Sequence, residues 1–532
     1  MELIKKMLKY LFILIIIAVL ACSIMAGILF LFPNVSLFGF RFASGHKENV
    51  AIETNSVIKK VNIETNHFDI IIKPNSDENK NSSDNENLRV VINNDYTGYS
   101  KNGLNNVQIK KVGTDEFLDS SKFDNVSFAH FKNGDELTLV LNEPDGVISF
   151  GSSSVIVFLP ENASGVEYNL KTNTGKISFE KNSYDETKVI STKNITLSVS
   201  SAFGSFSLDN ASMQDGSDLT ISNYIGRVEI NSEKIGNVKI NSNSGNFTFK
   251  QIGYEGFDGG SLTVEGNNPY VRVTGTVFGS VTYTNVTTGF VEIGTIKGDL
   301  IYESENGILR VNKILGSIET FNKSGETTIK QIGDGVVTPT SANIESESGA
   351  INLGTDDSKI YYLSQVNTKT GKVVIKNLAS SVSQNIQTTK GSVEIEFSED
   401  ANQKDLKVST ESGSITLRKV YGNMNIKTGN SSKIYAEMLA ISNESSFVTD
   451  GGEIELVLPA PTTGENRKYK LEIMNKQKNK MNIKIGNFAK TEFDGEQDEN
   501  QFYSFTQIFP QDETTENVIN IKSNSGLIKV HE

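Results

Sequence analysis

Tyr270 to Lys330 reads YVRVTGTVFGSVTYTNVTTGFVEIGTIKGDLIYESENGILRVNKILGSIETFNKSGETTIK, with Gly279, Gly289, Gly298, Gly307, Gly316 and Gly325 about nine residues apart. After most of these glycines comes Gly-x-apolar-x-apolar, as in Gly289-Phe-Val291-Glu-Ile293 and Gly307-Ile-Leu309-Arg-Val311. In the last two copies Thr320 and Thr327 take apolar slots. Such alternation puts every second side chain on one face, the strand period. Gly289, Gly307 and Gly325 follow polar residues, whereas Gly279, Gly298 and Gly316 have an apolar residue two places back. The repeating unit is therefore about eighteen residues with two strands and two different corners.

A unit of that size cannot bury its own apolar face, so neighbours must stack. An antiparallel meander would give similar strand and turn lengths, but it has no need of two turn classes. The expected fold is all-β, an elongated β-solenoid of about 18–22 residues per rung on one N-terminal transmembrane helix. Glycine suits the corners because it accepts positive φ. Residues 166–435 would make about thirteen rungs, on the order of 60 Å at the spacing between strands.

Outward from that block the same phrase recurs at Gly175, Gly204, Gly226, Gly236, Gly245, Gly349, Gly371, Gly391, Gly413, Gly422 and Gly526. Gaps near residues 181–195, 253–261 and 333–342 read as loops bulging from a corner. The polar run Ser76 to Asn87 reads as a solvated insertion, and residues 94–134 as an excursion. Val155–Pro160 is a near-continuous apolar strand ending in Leu-Pro, and Glu453–Pro459 echoes that ending.

At the N-terminus, Lys5, Lys6 and Lys9 precede a charge-free run from Leu11 to Phe32. A helix over that run is long enough to cross a bilayer, and the lysines place its N-terminus in the cytoplasm. The expected division is a cytoplasmic tail (1–10), a transmembrane helix (11–32), a connector (33–49) and an N-terminal β region (50–165). The repeat solenoid (166–440) and a C-terminal β region with a closing rung (441–532) follow. The partner implied for residues 11–32 is the lipid bilayer, and the bulk of the chain is expected to be extracytoplasmic. A cleaved signal peptide has a shorter apolar core. Val19-Leu20-Ala21-Cys22 resembles a lipoprotein cleavage box, but the apolar run continues past Cys22.

A net charge of −13 argues against nucleic acid as a partner. Cys22 is the single cysteine, so no disulfide forms within the chain. His46, His67, His130 and His531 have no second ligand at metal spacing, and Asp258-Gly-Gly260 and Asp450-Gly-Gly452 read as turns. Glu229, Glu292 and Glu319 sit at alternating polar positions, where a solvated face puts them. No catalytic, cofactor-binding or metal residue is assigned and no cofactor is expected.

The Leu-Pro strand of Val155–Pro160 with Lys171-Thr-Asn-Thr-Gly175, and Asn520-Ile-Lys-Ser-Asn-Ser-Gly526-Leu-Ile-Lys-Val530, carry a resemblance. Over roughly residues 50–532 the chain resembles the adhesin-domain family of Gram-positive bacteria, and is similar to the heads of autotransporter adhesins. The resemblance implies a β-helical body on a membrane anchor, associated with surface adhesion or envelope stress, with no catalytic residues to carry over. The expected role is non-enzymatic: an adhesin-like surface or envelope scaffold binding cell-surface glycans or proteins. The alternatives are an accessory sensor of envelope stress acting through a membrane partner, and a β-helical enzyme acting on polysaccharide.

Overall fold

The computed structural model describes residues 2–31, 41–54, 57–74, 88–100, 108–110, 117–119, 132–142, 146–149, 153–160, 163–180, 190–199, 205–208, 211–213, 218–222 and 226–231. It also describes residues 235–532 apart from 258, 381, 400–404, 463–466 and 512–513. The Ser76–Asn87 insertion, most of the 94–134 excursion, the start of the connector, His130 and Asp258 lie outside the described residues. The chain forms two compact units, Met1–Ser232 and Glu233–Glu532.

Within the second unit the strands coil into a β-solenoid. Ten successive turns run from Leu262–Gly266 with Asn268–Val277 to Glu444–Thr449 with Ile454–Val457. Each turn gives one strand to each of two parallel sheets. Sheet I holds the strands that follow the polar-preceded glycines, such as Phe290–Ile296, Ile308–Ile314 and Thr327–Ile332. Sheet II holds those that follow the other class, such as Val281–Val286, Leu300–Ser304 and Ile318–Asn322. The two glycine classes thus mark two different corners.

Register fixes the length of a turn. Leu300 lies opposite Ile318, eighteen residues on, and Ile318 lies opposite Ala342, twenty-four on. The longer step carries the loop 333–341, which bulges from a corner as the sequence suggests. The gap expected at 181–195 is shorter than that, because Ile190–Val199 is a strand.

Between the sheets lies a core of stacked like residues: Val291, Leu309, Thr327 and Ile351 in one row, Val281, Leu300, Ile318 and Ala342 in another, all buried. Stacking keeps chemistry alike along a row, so the Tyr283 and Tyr302 rings lie 5.1 Å apart at 13°. Burial pushes both hydroxyls far above the usual tyrosine range.

The corner glycines before sheet I have a different cause from the one expected. Gly307, Gly325, Gly349, Gly371, Gly391 and Gly413 are absent from the positive-φ positions. Each instead lies so close over the preceding turn's backbone or core side chains that a Cβ would collide: Gly325 through Gly413 meet the carbonyl of the glycine one turn back, and Gly307 meets the Tyr302 hydroxyl. Close approach, not left-handed backbone, demands the glycine. Positive φ is taken by other glycines, such as Gly253, Gly333, Gly354 and Gly422, and by Asn285, Asn377, Asn430, Asn443 and Lys419.

Three residues before Gly325, Gly349, Gly371, Gly391 and Gly413 sits a buried polar side chain, and its oxygen accepts the glycine N–H. Asn322 serves Gly325, Ser346 serves Gly349, Thr368 serves Gly371, Thr388 serves Gly391 and Thr410 serves Gly413, at 2.8–3.2 Å. A ladder of one amide and then four hydroxyls therefore runs inside the corner and satisfies donors that the stacking would otherwise bury unpaired.

Each unit also contains one rung out of sequence order. In the first unit, Lys60–Glu64 lies between Glu136–Asn142 and Val166–Thr172, parallel to both. Asp69–Pro74 lies likewise between Ser154–Leu159 and Lys176–Phe179. In the second unit, Val518–Ser523 lies between Glu444–Thr449 and Tyr469–Asn475. Ile528–His531 lies between Ile454–Val457 and Met481–Ile485. In both places the chain passes a Leu-Pro (Leu159-Pro160, Leu458-Pro459), skips one rung position, and a distant segment fills the gap. The closing rung anticipated from the sequence is thus an inserted one.

Antiparallel pairs lie beyond these insertions: Leu88–Ser100 on Ser154–Leu159, and Tyr503–Phe509 on Tyr469–Asn475. An antiparallel strand breaks the parallel stacking that would invite another copy to add on.

The one described helix is Glu2–Leu31. Among the described residues no helix is long and apolar enough to cross a membrane. Its side chains from Leu11 to Leu20 are exposed.

Candidate functional site

Along sheet II of the second unit, outward side chains of successive turns stand in line. Glu303, Phe321, Glu345, Asn367, Gln387, Ser409 and Lys427 occupy one row in parallel register. Seven positions at the strand spacing cover about 29 Å. A rim runs beside this row where the chain leaves sheet II: Glu305, Lys323, Glu347, Lys369, Thr389 and Glu411, held turn to turn by backbone hydrogen bonds. Between row and rim is a groove, and the buried Ser346, Thr368, Thr388 and Thr410 underlie it.

The groove's largest section has a volume of 630 Å³ and runs from Phe321 to Lys427. Sections of 280 and 480 Å³ continue it past Ile301, Glu303 and Asn285, sharing Phe321. Its chemistry varies along its length: Glu303, Glu305, Glu319, Glu345 and Glu347 stand toward one end with Lys323 and Lys369 among them, the amides of Asn367 and Gln387 lie between, and Glu411 and Lys427 stand at the other end. Phe321, 38% exposed, presents a ring among the carboxylates with Ile301 nearby.

Hydrogen bonds fix several of these groups. Asn367 donates to Glu345 at 3.0 Å, and Lys369 donates to Glu347 at 2.8 Å. The Lys369 ammonium holds the Glu347 carboxyl below its ordinary range. The other carboxyls with a clear shift, Asp334, Glu453 and Glu455, also move down. A general acid needs the opposite shift.

Of the sequence-marked residues, Glu319 lines this groove. His67 meets Thr174 at 2.7 Å in the first unit, and His531 meets Glu455 at 3.4 Å. Glu229 and Glu292 pair with Arg227 and Arg272 across outer faces, and exposed Glu319 stands at the groove's acidic end. Among the described residues, no three His, Cys, Asp or Glu side chains gather as a metal site would need. The Asp450-Gly-Gly452 segment is a turn, with Gly451 donating to Asn430.

Sequence reasoning passed over most of the groove because four of its strands open without glycine. They are Ala342–Ser346, Gln365–Thr368, Gln384–Thr388 and Leu406–Thr410. The signal was there as apolar-x-Ser/Thr three residues before a glycine: Ile344-Glu-Ser346, Val366-Asn-Thr368, Ile386-Gln-Thr388 and Val408-Ser-Thr410. The class the second unit defines is a two-sheet parallel β-solenoid with a lengthwise polar groove. No protein-family model, curated protein or solved structure matches the chain.

Proposed function

We propose that this chain is a membrane-anchored, extracytoplasmic binding scaffold, adhesin-like and non-enzymatic, whose groove holds an extended hydroxyl-rich chain such as a surface glycan. The observation that carries this reading is the alignment of Phe321 with carboxylates and amides along successive turns. An aromatic face suits the apolar side of a sugar ring, while carboxylates and amides suit its hydroxyls. Polar side chains repeated along the coil axis offer a polymer several footholds, so weak contacts add. The lowered Glu347 carboxyl supports a holding role over an acid-catalytic one.

The anchor in this proposal is Leu11–Phe32, whose charge-free sequence would make a span of about 33 Å as a helix. An apolar helix with exposed side chains on all faces calls for lipid or protein cover. The lysines before the run favour a cytoplasmic N-terminus. The resemblance to adhesin domains points the same way.

The test is titration of the full chain in lipid nanodiscs with a panel of bacterial surface polysaccharides of increasing length. Affinity should rise with chain length and fall about tenfold in Phe321→Ala, the loss of one stacking contact of about 1.4 kcal/mol. Binding to no member of the panel, or binding indifferent to Phe321→Ala, refutes the groove. Release of the chain from membranes by alkaline carbonate refutes the anchor.

A further inference from the structure

The second unit's inserted rung is joined to its surroundings in an unusual way. Its two walls, Glu444–Val457 and Tyr469–Ile485, both precede it in the chain. Val518–Ser523 and Ile528–His531 pair with the walls on both edges in both sheets. Drawn apart from its occupant, each wall would present a full row of strand N–H and C=O groups to the gap. Such a row is a template for a strand.

The slot is also selective. Ile519, Ile521, Ile528 and Val530 are buried within it. Ser523 accepts the Gly526 N–H at 2.8 Å, and Asn475 of one wall donates to the Gly526 carbonyl at 2.7 Å. A side chain at Gly526 would collide with the backbone of Gly452 on the other wall. Lys529 pairs with Glu453, and His531 faces Glu455. An occupant must therefore carry apolar-x-apolar-x-Ser-x-x-Gly-x-Ile-x-Val, which is the pattern of Ile519 to Val530.

We propose that this slot is a strand-acceptor site, and that it takes Val518–His531 from a second copy of this chain as well as its own. Across the slot each wall bonds to the rung alone, so a rung delivered by another copy makes the same hydrogen bonds, core contacts and ion pairs. The cis rung has the advantage of tethering through Pro510–Asn517, which raises its effective concentration; exchange between copies therefore needs high local density. Copies crowded on one surface meet that condition.

The experiment places a specific protease site in the 511–516 connection of the full-length protein, cleaves it, and adds labelled synthetic peptide Val518–Glu532. The expected result is that the resident fragment co-elutes with the body until the labelled peptide replaces it. The peptide bearing Gly526→Val is not taken up. A retained fragment that never exchanges below the melting temperature, or a lost fragment with no peptide uptake, overturns the site. A second arm mixes the nicked protein, differently tagged, with intact full-length chain and isolates species carrying both tags. Mixed species that free peptide competes away support the second copy as donor, and their absence while peptide is taken up overturns it.

Discussion

Lys60–Pro74 and Val518–His531 fill equivalent slots, one in each unit, yet they differ in how far the sequence announces them. In the coiled turns of the second unit, neighbours in a sheet lie 18 to 24 residues apart, as Leu300, Ile318 and Ala342 do. At the slots that distance jumps: Lys171 faces Glu64 at 107 residues, and Lys529 faces Glu453 at 76. Closing a loop of 107 residues in place of 18 costs only about 1.5 kcal/mol more in chain entropy. The inserted rungs are therefore thermodynamically tolerable and kinetically late, because distant pairings form after local ones.

The sharpest break in the comparison is a glycine substitution in each setting. Gly391→Val puts a Cβ into the carbonyl of Gly371 inside a continuous coil. The backbone on both sides is locked by register, so a loss of about 3 kcal/mol or more is expected for the whole second unit, read as a lowered urea midpoint. Gly526→Val meets the Gly452 backbone just as closely, but its rung is attached by one connection. Hydrogen exchange should show 518–531 losing protection while 281–438 keeps it. Equal loss across both ranges would mean that the slot is no weaker than the coil.

Next in size is the hydroxyl ladder, which runs through both settings. Thr410→Val keeps shape and removes the acceptor for the Gly413 N–H, leaving a buried donor unpaired. Ser523→Ala does the same to Gly526. Each should cost about 1–3 kcal/mol by chemical denaturation. A null result at Thr410 would show that the ladder is incidental to the corner.

The ladder also explains how much could be read in advance. Strand period, two corner classes and stacking were legible in the second unit because Gly279 to Gly325 repeat there almost without interruption. The occupant Val518–His531 was legible as a rung because it keeps Ser523-x-x-Gly526, though not its inserted position. Lys60–Pro74 was harder, since its corner reads Thr65-Asn-His-Phe68, with phenylalanine where glycine is usual. Gly175 of the next rung instead gives way above the Phe68 carbonyl. Insertion itself is invisible to periodicity, which records spacing along the chain and not which rungs touch. The groove was hidden for a related reason: its row of Glu345, Asn367 and Gln387 is assembled by register from strands that share no motif on their outer face.

Acid should separate the second unit's slot from its middle turns. Lys529 hydrogen bonds to Glu453, Lys433 to Glu455, and His531 assists the latter, so both carboxyls sit below the ordinary glutamate value of 4.5. A carboxyl lowered on folding stabilises the fold above its ordinary value, and that contribution is lost as pH falls through the lower, folded value. Protection of 518–531 should therefore decline as pH drops below about 4.5, ahead of the Val281–Val311 turns. Simultaneous decline in both segments would show that these pairs do not hold the rung.

The smallest effect is expected at the first unit's slot, where the charge contact Lys171–Glu64 crosses from the inserted strand to its wall. Both side chains are about half exposed, at 51% and 48%. Water and salt screen such a pair, so Lys171→Ala should cost about 0.2–1 kcal/mol, and the cost should shrink further in high salt. The inserted strand keeps its hold by other means: Val61 and Ile63 are buried between Leu137 and Leu139 on one side and Tyr168 and Leu170 on the other. Ile63→Ala should cost far more, about 2–5 kcal/mol, because it leaves a cavity between two parallel neighbours. If thermal denaturation ranks Lys171→Ala above Ile63→Ala, the first slot is held by charge at its edge, and its likeness to the second is topological alone.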